Sequence, residues 1–246
     1  MSNILLSVEA LHTGYDEVKV LWGVDLSVRQ GEIVSLVGSN GAGKSTLLRC
    51  ISQLIPISSG KITFAGKDLP PGQPYKVVEL GIAHVPEGRR LFAAMSVRDN
   101  LLMGAYARQD SSMEIQRDLE FVYTMFPRLA ERLKQDGGTL SGGEQQMCAI
   151  ARGIMSRPKL LMIDELSLGL SPVAVESLSE ALVQINKETG ISILLVEQDV
   201  VAAFELAQQG FVMDLGRITL SGDASDLAAD PTVREAYMGI EENPGI

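Results

Sequence analysis

The chain has 246 residues, 46% hydrophobic and 21% charged, enough for one large domain or a core with a small insert. Its 31 acidic residues against 21 basic ones leave a net charge of −10, which argues against nucleic-acid binding over the whole surface. No run approaches the roughly 18 apolar residues of a membrane-spanning helix, the N-terminus lacks the basic segment of a signal peptide, and Cys50 and Cys148 have no disulfide or zinc spacing.

In chain order, LLSVEALHTGY, VLWGVDLSV and EIVSLVG read as short strands, before a glycine-rich loop and a helix over KSTLLRCISQL, residues 44–54. GKITFAG predicts a strand, YKVVELG a short helix, and IAHVP a strand closed by Pro86. From about 97 to 155 the pattern is helical, with Ile115, Leu119, Val122 and Phe126 along one face. Strand–helix alternation resumes with KLLMID, a helix from Pro172, ISILLVE, a helix from Val201 to Ala207, GFVMDL and RITLSG. Fully apolar strands between helices imply a parallel sheet covered on both faces. The expected architecture is α/β: a core of residues 1–87 and 158–246, with a helical subdomain inserted at 88–157.

Three motifs carry chemistry. GSNGAGKST, residues 38–46, fits the G-x-x-x-x-G-K-[ST] phosphate loop and follows the apolar strand EIVSLV, which that motif requires. Gly38, Gly41 and Gly43 let the backbone N–H groups of this loop, with Ser39, Asn40, Ala42 and Thr46, turn inward around phosphate oxygens. Lys44 reaches the β and γ phosphates, and the Ser45 hydroxyl ligates magnesium. By chance the pattern would arise in about one chain in a hundred of this length, before strand and helix are demanded around it. LLMIDE, residues 160–165, ends an apolar strand in two acids: Asp164 suits magnesium, and Glu165 suits orienting or deprotonating an attacking water. LSGGEQQ, residues 140–146, opens a second helix with Ser141, Gly142 and Gly143, a second anion-binding helix start. Two phosphate cradles in one chain require two nucleotides, or one nucleotide shared between two chains.

LSGGEQQ between a phosphate loop and LLMIDE resembles the ATP-binding subunits of ABC transporters, over nearly the whole chain. The resemblance implies a P-loop NTPase core with an N-terminal antiparallel β subdomain, ATP and Mg2+ as cofactors, and head-to-tail pairing of two such domains. Ser141 and Gly143 would then contact the γ phosphate of the nucleotide across the interface, and Tyr15 would stack on adenine. Ser171, in SLGLSP, stands where many members have an aspartate. Glu87, in VPEGRR, stands where a glutamine usually touches magnesium and senses the permease. Gln198, in LLVEQD, stands where histidine is usual. The strand ends beside the γ phosphate in that family, so polar tips are expected there. Gln198 can donate a neutral amide N–H but cannot act as an acid or base, which leaves proton transfer to Glu165.

VPEGRR, LLVEQ, SLGLSP and a terminal VREAYMG resemble one subgroup, the smaller ATPase of branched-chain amino acid importers, the type called LivF. Urea and short-amide importers have very similar subunits. The resemblance implies an ATPase motor at the cytoplasmic face of the plasma (inner) membrane. Its implied partners are membrane permease subunits, a paralogous ATPase as the dimer partner and, indirectly, a periplasmic binding protein, with no nucleic acid. Residues 87–97 would border the groove for a permease helix. Two other readings explain less. Soluble ABC proteins of translation or DNA repair usually carry two nucleotide modules or a long coiled-coil insert, and a small-molecule kinase has no use for LSGGEQQ.

Overall fold

The computed structural model describes residues 3–235, so the VREAYMG segment lies outside them from Ala236 on. The elements run β1 (Ile4–Tyr15), β2 (Val18–Arg29), β3 (Ile33–Val37), α1 (Lys44–Ile51), β4 (Ser59–Phe64), β5 (Lys67–Asp68), α2 (Pro74–Leu80) and β6 (Ile82–Val85). The helical stretch follows with α3 (Val97–Gly104), α4 (Ser112–Met125), α5 (Pro127–Ala130), a 3-10 turn (Gly137–Thr139) and α6 (Gly142–Ile154). Then come β7 (Leu160–Asp164), α7 (Pro172–Thr189), β8 (Ser192–Glu197), α8 (Val200–Leu206), β9 (Gln209–Asp214), β10 (Arg217–Asp223), α9 (Ala224–Ala229) and α10 (Pro231–Val233). The fold is α/β, with parallel strands, an antiparallel N-terminal sheet and inserted helices, as the sequence predicts. The described residues divide into two compact units, 3–72 with 194–235 and 73–193.

In the first unit β1 pairs antiparallel with β2 and with β4, and β4 with β5. β3 is buried at all five positions and pairs in parallel with β9, the form of a strand covered on both faces. α8 brings Val200, Ala203 and Phe204 onto Val37 and Val212, joined by Ala224, Leu227 and Val233 from α9 and α10. β10 pairs antiparallel with β9 and exposes alternate residues, as an edge strand does. Leu215 and Gly216 join them, both at positive φ, 43 and 76. That two-residue turn matches the strand twist.

In the second unit β6 and β7 pair in parallel, and Ser192, at the start of β8, donates its backbone N–H to the Lys159 carbonyl at 2.9 Å. Four of these helices, α3, α4, α6 and α7, begin where a serine side chain accepts a free N–H group. Ser96 caps α3, and Ser111 with Glu114, like Ser141 with Glu144, forms a reciprocal capping box. α7 starts at Pro172 after the Ser171 cap and ends at Gly190, which has φ 70. α3 lies close to α6: a Cβ on Gly104 would run into the Arg152 carbonyl. Gly153 allows the same approach of α6 to Leu161 and Val85.

Two polar groups tie this unit together. Arg108, with a 7% exposed side chain, bridges Asp110 at 2.5 Å and Asp118 at 2.6 Å and donates to the Met155 carbonyl. Arg157 holds the same two acids from the other side, at 2.8 and 2.7 Å. The Arg108 guanidinium keeps the Asp110 carboxyl below its usual range. Asn100 is fully buried; its Oδ1 accepts from the Phe92 N–H at 2.9 Å, and its Nδ2 donates to the carbonyls of Phe92, Met95 and Ser96. Cys50 and Cys148 are core residues whose thiols burial pushes up to about 11, so neither is a nucleophile at neutral pH.

Asn100→Ala removes the acceptor of the Phe92 N–H and one of the donors to the Phe92, Met95 and Ser96 carbonyls, which keep the N–H groups of Met95, Gly137 and residue 100. It is expected to cost about 2 kcal/mol, read as a lower denaturant midpoint for the full chain. A midpoint unchanged from the parent would show that the loop does not depend on Asn100.

Candidate functional site

In the first unit the loop of residues 38–46 leaves the buried end of β3 and opens α1. Gly43, the residue before α1, has φ 108, and a Cβ there would lie 2.7 Å from Leu21 Cδ2. Only glycine meets both demands. The turn between β9 and β10 braces the loop from the other side: the Gly216 N–H donates to the Ala42 carbonyl and its carbonyl accepts from the Trp22 N–H, both at 2.8 Å. Gly38 packs against the Met213 carbonyl. Lys44 is 4% exposed, and its ammonium donates to the Gly38 carbonyl at 2.7 Å and the Ser39 carbonyl at 3.2 Å. Its charge is therefore aimed inside the loop rather than into solvent, while Ser39, Asn40 and Gly41 stay exposed.

Tyr15 ends β1 with 39% of its surface exposed, and its hydroxyl accepts from Arg49 Nη1 at 3.1 Å. The structure thus ties the aromatic side chain to α1, the helix that carries Lys44 and Ser45. At the end of β8, Glu197 is buried and its carboxylate accepts the Gln198 N–H at 3.1 Å. Asp199 caps α8 by accepting from Ala202. Two of the three polar residues in LLVEQD therefore serve the local backbone, a use that hydropathy could not separate from a phosphate contact.

In the second unit Asp164 ends β7 and Glu165 follows it, at 4% and 8% exposure. Glu165 adopts φ 59, a left-handed conformation costing a non-glycine residue about 1 kcal/mol. The Ser141 hydroxyl accepts the Glu144 N–H, and the Glu144 carboxylate accepts the Ser141 N–H at 2.9 Å and bonds Arg132 at 2.5 Å. Glu87 is exposed in the turn after β6. Three motif loops converge on one side chain. The Arg89 guanidinium bonds Gln145 at 3.1 Å, and Nη2 lies 3.2 Å from where a Gly142 Cβ would be and 3.9 Å from the same position on Gly169.

The first loop fits a polyphosphate: a buried ammonium, a helix start and a backbone that a side chain would obstruct. Ser45 in the first unit and Asp164 in the second are each, taken separately, a hard oxygen donor of the kind magnesium takes. One or two carboxylates suffice when phosphates supply the rest, and no group of three His, Cys, Asp or Glu suited to a metal occurs among the described residues. Sequence reasoning missed Arg49, Asn100, Arg152 and the packing role of Arg89. An arginine in a helix gives no periodic signal of what its guanidinium meets.

The ABC transporter family profile matches residues 21–167. The high-affinity branched-chain amino acid transport ATP-binding protein BraG of Pseudomonas aeruginosa is 42% identical over 96% of this chain and 100% of that protein. A probable branched-chain amino acid transport ATP-binding protein LivF of Archaeoglobus fulgidus is 33% identical over 96% and 99%. The solved structure of the ADP conformation of MJ1267, an ATP-binding cassette of an ABC transporter, superposes with a TM-score of 0.82 at 25% identity, covering 96% of this chain and 99% of that one.

Burial raises the Glu144 carboxyl, but the Ser141 N–H and hydroxyl and Arg132 outweigh it and hold it below the usual range. A depressed carboxyl stabilises the fold above its unfolded value, near 4.3, and loses that benefit as pH falls through the folded value. Glu144→Ala is expected to cost about 1 kcal/mol at neutral pH. The difference from the parent, read by chemical unfolding across pH 2–7, should narrow at acid pH. A constant difference would count against the capping box.

Proposed function

The chain belongs to the ABC transporter family, and on that premise we propose that it is the ATP-hydrolysing motor subunit of an importer of branched-chain amino acids. The observation that carries the ATPase reading is the buried Lys44 ammonium, aimed into the loop at the head of α1. The cargo follows from what the two bacterial and archaeal relatives are named for.

Residues 38–46 hold the phosphates of ATP, with Lys44 on the β and γ groups, and Tyr15, steadied by Arg49, stacks on adenine. Ser45, Asp164 and Glu87 would hold magnesium, and the ion would supply positive charge to the phosphate oxygens. Glu165 accepts the proton of the attacking water as general base. Gln198 gives the γ phosphate a neutral hydrogen bond. Ser141, Gly142 and Gly143 take the γ phosphate of the nucleotide held by the other ATPase subunit, a paralogue. Residues 88–157 act as a helical subdomain within a core of 1–87 and 158–246.

The motor works with membrane permease components and reaches the periplasmic binding protein only through them. Among the described residues no helix is long and apolar enough to cross a membrane. We put the subunit at the cytoplasmic face of the inner membrane, held there by the permease. A groove of about 350 Å³ in the second unit, lined by Val78, Arg90, Phe92, Met103 and Arg152 among others, suits a permease helix with an apolar face and acidic flanks.

Lys44→Ala should abolish hydrolysis by the assembled transporter; hydrolysis at the parental rate would sink the phosphate-loop assignment. Glu165→Gln should slow hydrolysis about a hundred- to ten-thousand-fold, and Gln198→Ala about fivefold, with ATP affinity kept in both. The reverse order would mean that Gln198 positions the water. Crosslinks from residues 90–95 should reach the permease, and contacts confined to other surfaces would remove the docking groove. Stimulation by leucine-loaded binding protein supports the cargo assignment, whereas stimulation by a urea- or amide-loaded one overturns it.

A further inference from the structure

The loop after β6 has an unusual backbone. Gly88, Arg89 and Arg90 are three consecutive left-handed residues, with φ 78, 63 and 48, and the Arg90 N–H turns back to the Gly88 carbonyl at 2.6 Å. Two consecutive non-glycine residues in that region persist only where neighbours hold them. Here both ends of the hold come from α6. Arg152, half-buried so that desolvation lowers its guanidinium pKa, donates to the Arg90 carbonyl at 2.8 Å and the Arg89 carbonyl at 3.2 Å, and lies over the Phe92 ring at 5.6 Å. That fixes the backbone against the later turns of α6. The Arg89 side chain is thereby thrown toward the first turn, where it bonds Gln145 at 3.1 Å and covers Gly142 at 3.2 Å from the missing Cβ. Gln145 in turn faces the Gly137 carbonyl at 3.4 Å.

We propose that Arg89 is a positioning residue for ATP hydrolysis, holding the SGG start of α6 in register with the Glu87 loop through its bond to Gln145. This rests on the function proposed above, in which Ser141, Gly142 and Gly143 meet the γ phosphate. The left-handed backbone is what makes the reach possible: relaxed to an extended conformation, residue 89 would direct its side chain elsewhere. Glycine at 142 leaves the guanidinium room, since a Cβ there would press on Nη2 from 3.2 Å. Any displacement of the 87–92 loop is therefore delivered to the phosphate-facing turn without an intervening flexible segment. Arg89 does not itself touch the reacting atoms.

The experiment compares Arg89→Ala, Arg89→Lys, Gln145→Ala and the Arg89→Ala/Gln145→Ala pair. Amide hydrogen exchange is followed in the full chain, and hydrolysis in the assembled transporter. Arg89→Ala should speed exchange at residues 142–146 about tenfold while β7 keeps its protection. It should lower kcat about tenfold, the worth of one charge-assisted bond, with the ATP affinity of the single chain unchanged. Gln145→Ala should match it, the pair should be no worse than either alone, and Arg89→Lys should recover part of the loss. Unchanged exchange at 142–146 would overturn the proposal, as would a kcat within twofold of the parent or losses that multiply in the pair. If hydrolysis by the parental transporter ignores Lys44→Ala, the proposed function fails instead. The exchange data then still decide whether Arg89 holds α6.

Discussion

The loop of residues 38–46, which we propose to hold phosphate, has to turn its backbone N–H groups and one ammonium toward an anion while its own carbonyls are satisfied elsewhere, and the first unit is organised around that demand. An unpaired buried carbonyl costs about 1–3 kcal/mol, so each has a partner. The Gly38 and Ser39 carbonyls receive Lys44, and the Ala42 carbonyl receives Gly216. The Gly216 partner depends on the close approach of the β9–β10 turn to the loop and to β2, which Gly38, Gly43 and Gly216 allow. Burial at β3 and the α8–α10 cluster then keeps the strand beneath the loop from shifting.

The second unit meets a comparable demand with side chains. Four of its helix starts are capped by Ser96, Ser111, Ser141 and Ser171, each accepting the backbone N–H three residues on. Its loops are held by a fully buried asparagine and by arginines whose guanidinium forks reach two or three acceptors each. Arginine suits this because five fixed N–H donors can satisfy several carbonyls or carboxylates at once. The exposed charge of the chain is acidic, yet the cations that matter for packing lie inside this unit. Net charge therefore says little about where electrostatic work is done.

Three of the nine non-glycine residues at positive φ among the described residues lie at or near the acids assigned to chemistry, Glu87 and Glu165. Glu165, Arg89 and Arg90 are left-handed without being glycine. Each is over-determined by its surroundings: Glu165 by near-complete burial, the arginine pair by Arg152. Such conformations survive where a side chain must be delivered to one place rather than a range of places.

The α/β class, the helical stretch from Val97 to Ile154, the glycine-rich loop that opens α1 and the two acids at the end of β7 were legible in the sequence. Each is written locally, in hydrophobic periodicity or in glycines at fixed spacing. The LSGGEQQ helix start was equally plain, because a serine followed three residues on by glutamate is itself a capping signal. What tertiary structure alone decided were the long-range bonds: Arg49 to Tyr15, Gly216 to Ala42, Asn100 to the 92–96 loop, Arg89 to Gln145. The LLVEQD acids fell between the two, since Asp199 is a helix cap and Glu197 a buried acceptor, and polarity alone marks either as a ligand contact. Local motifs are set by neighbours within a turn or a strand, which the order of residues specifies directly. The partner of a long flexible guanidinium is set by which loop the packing carries past it, and no spacing along the chain encodes that distance.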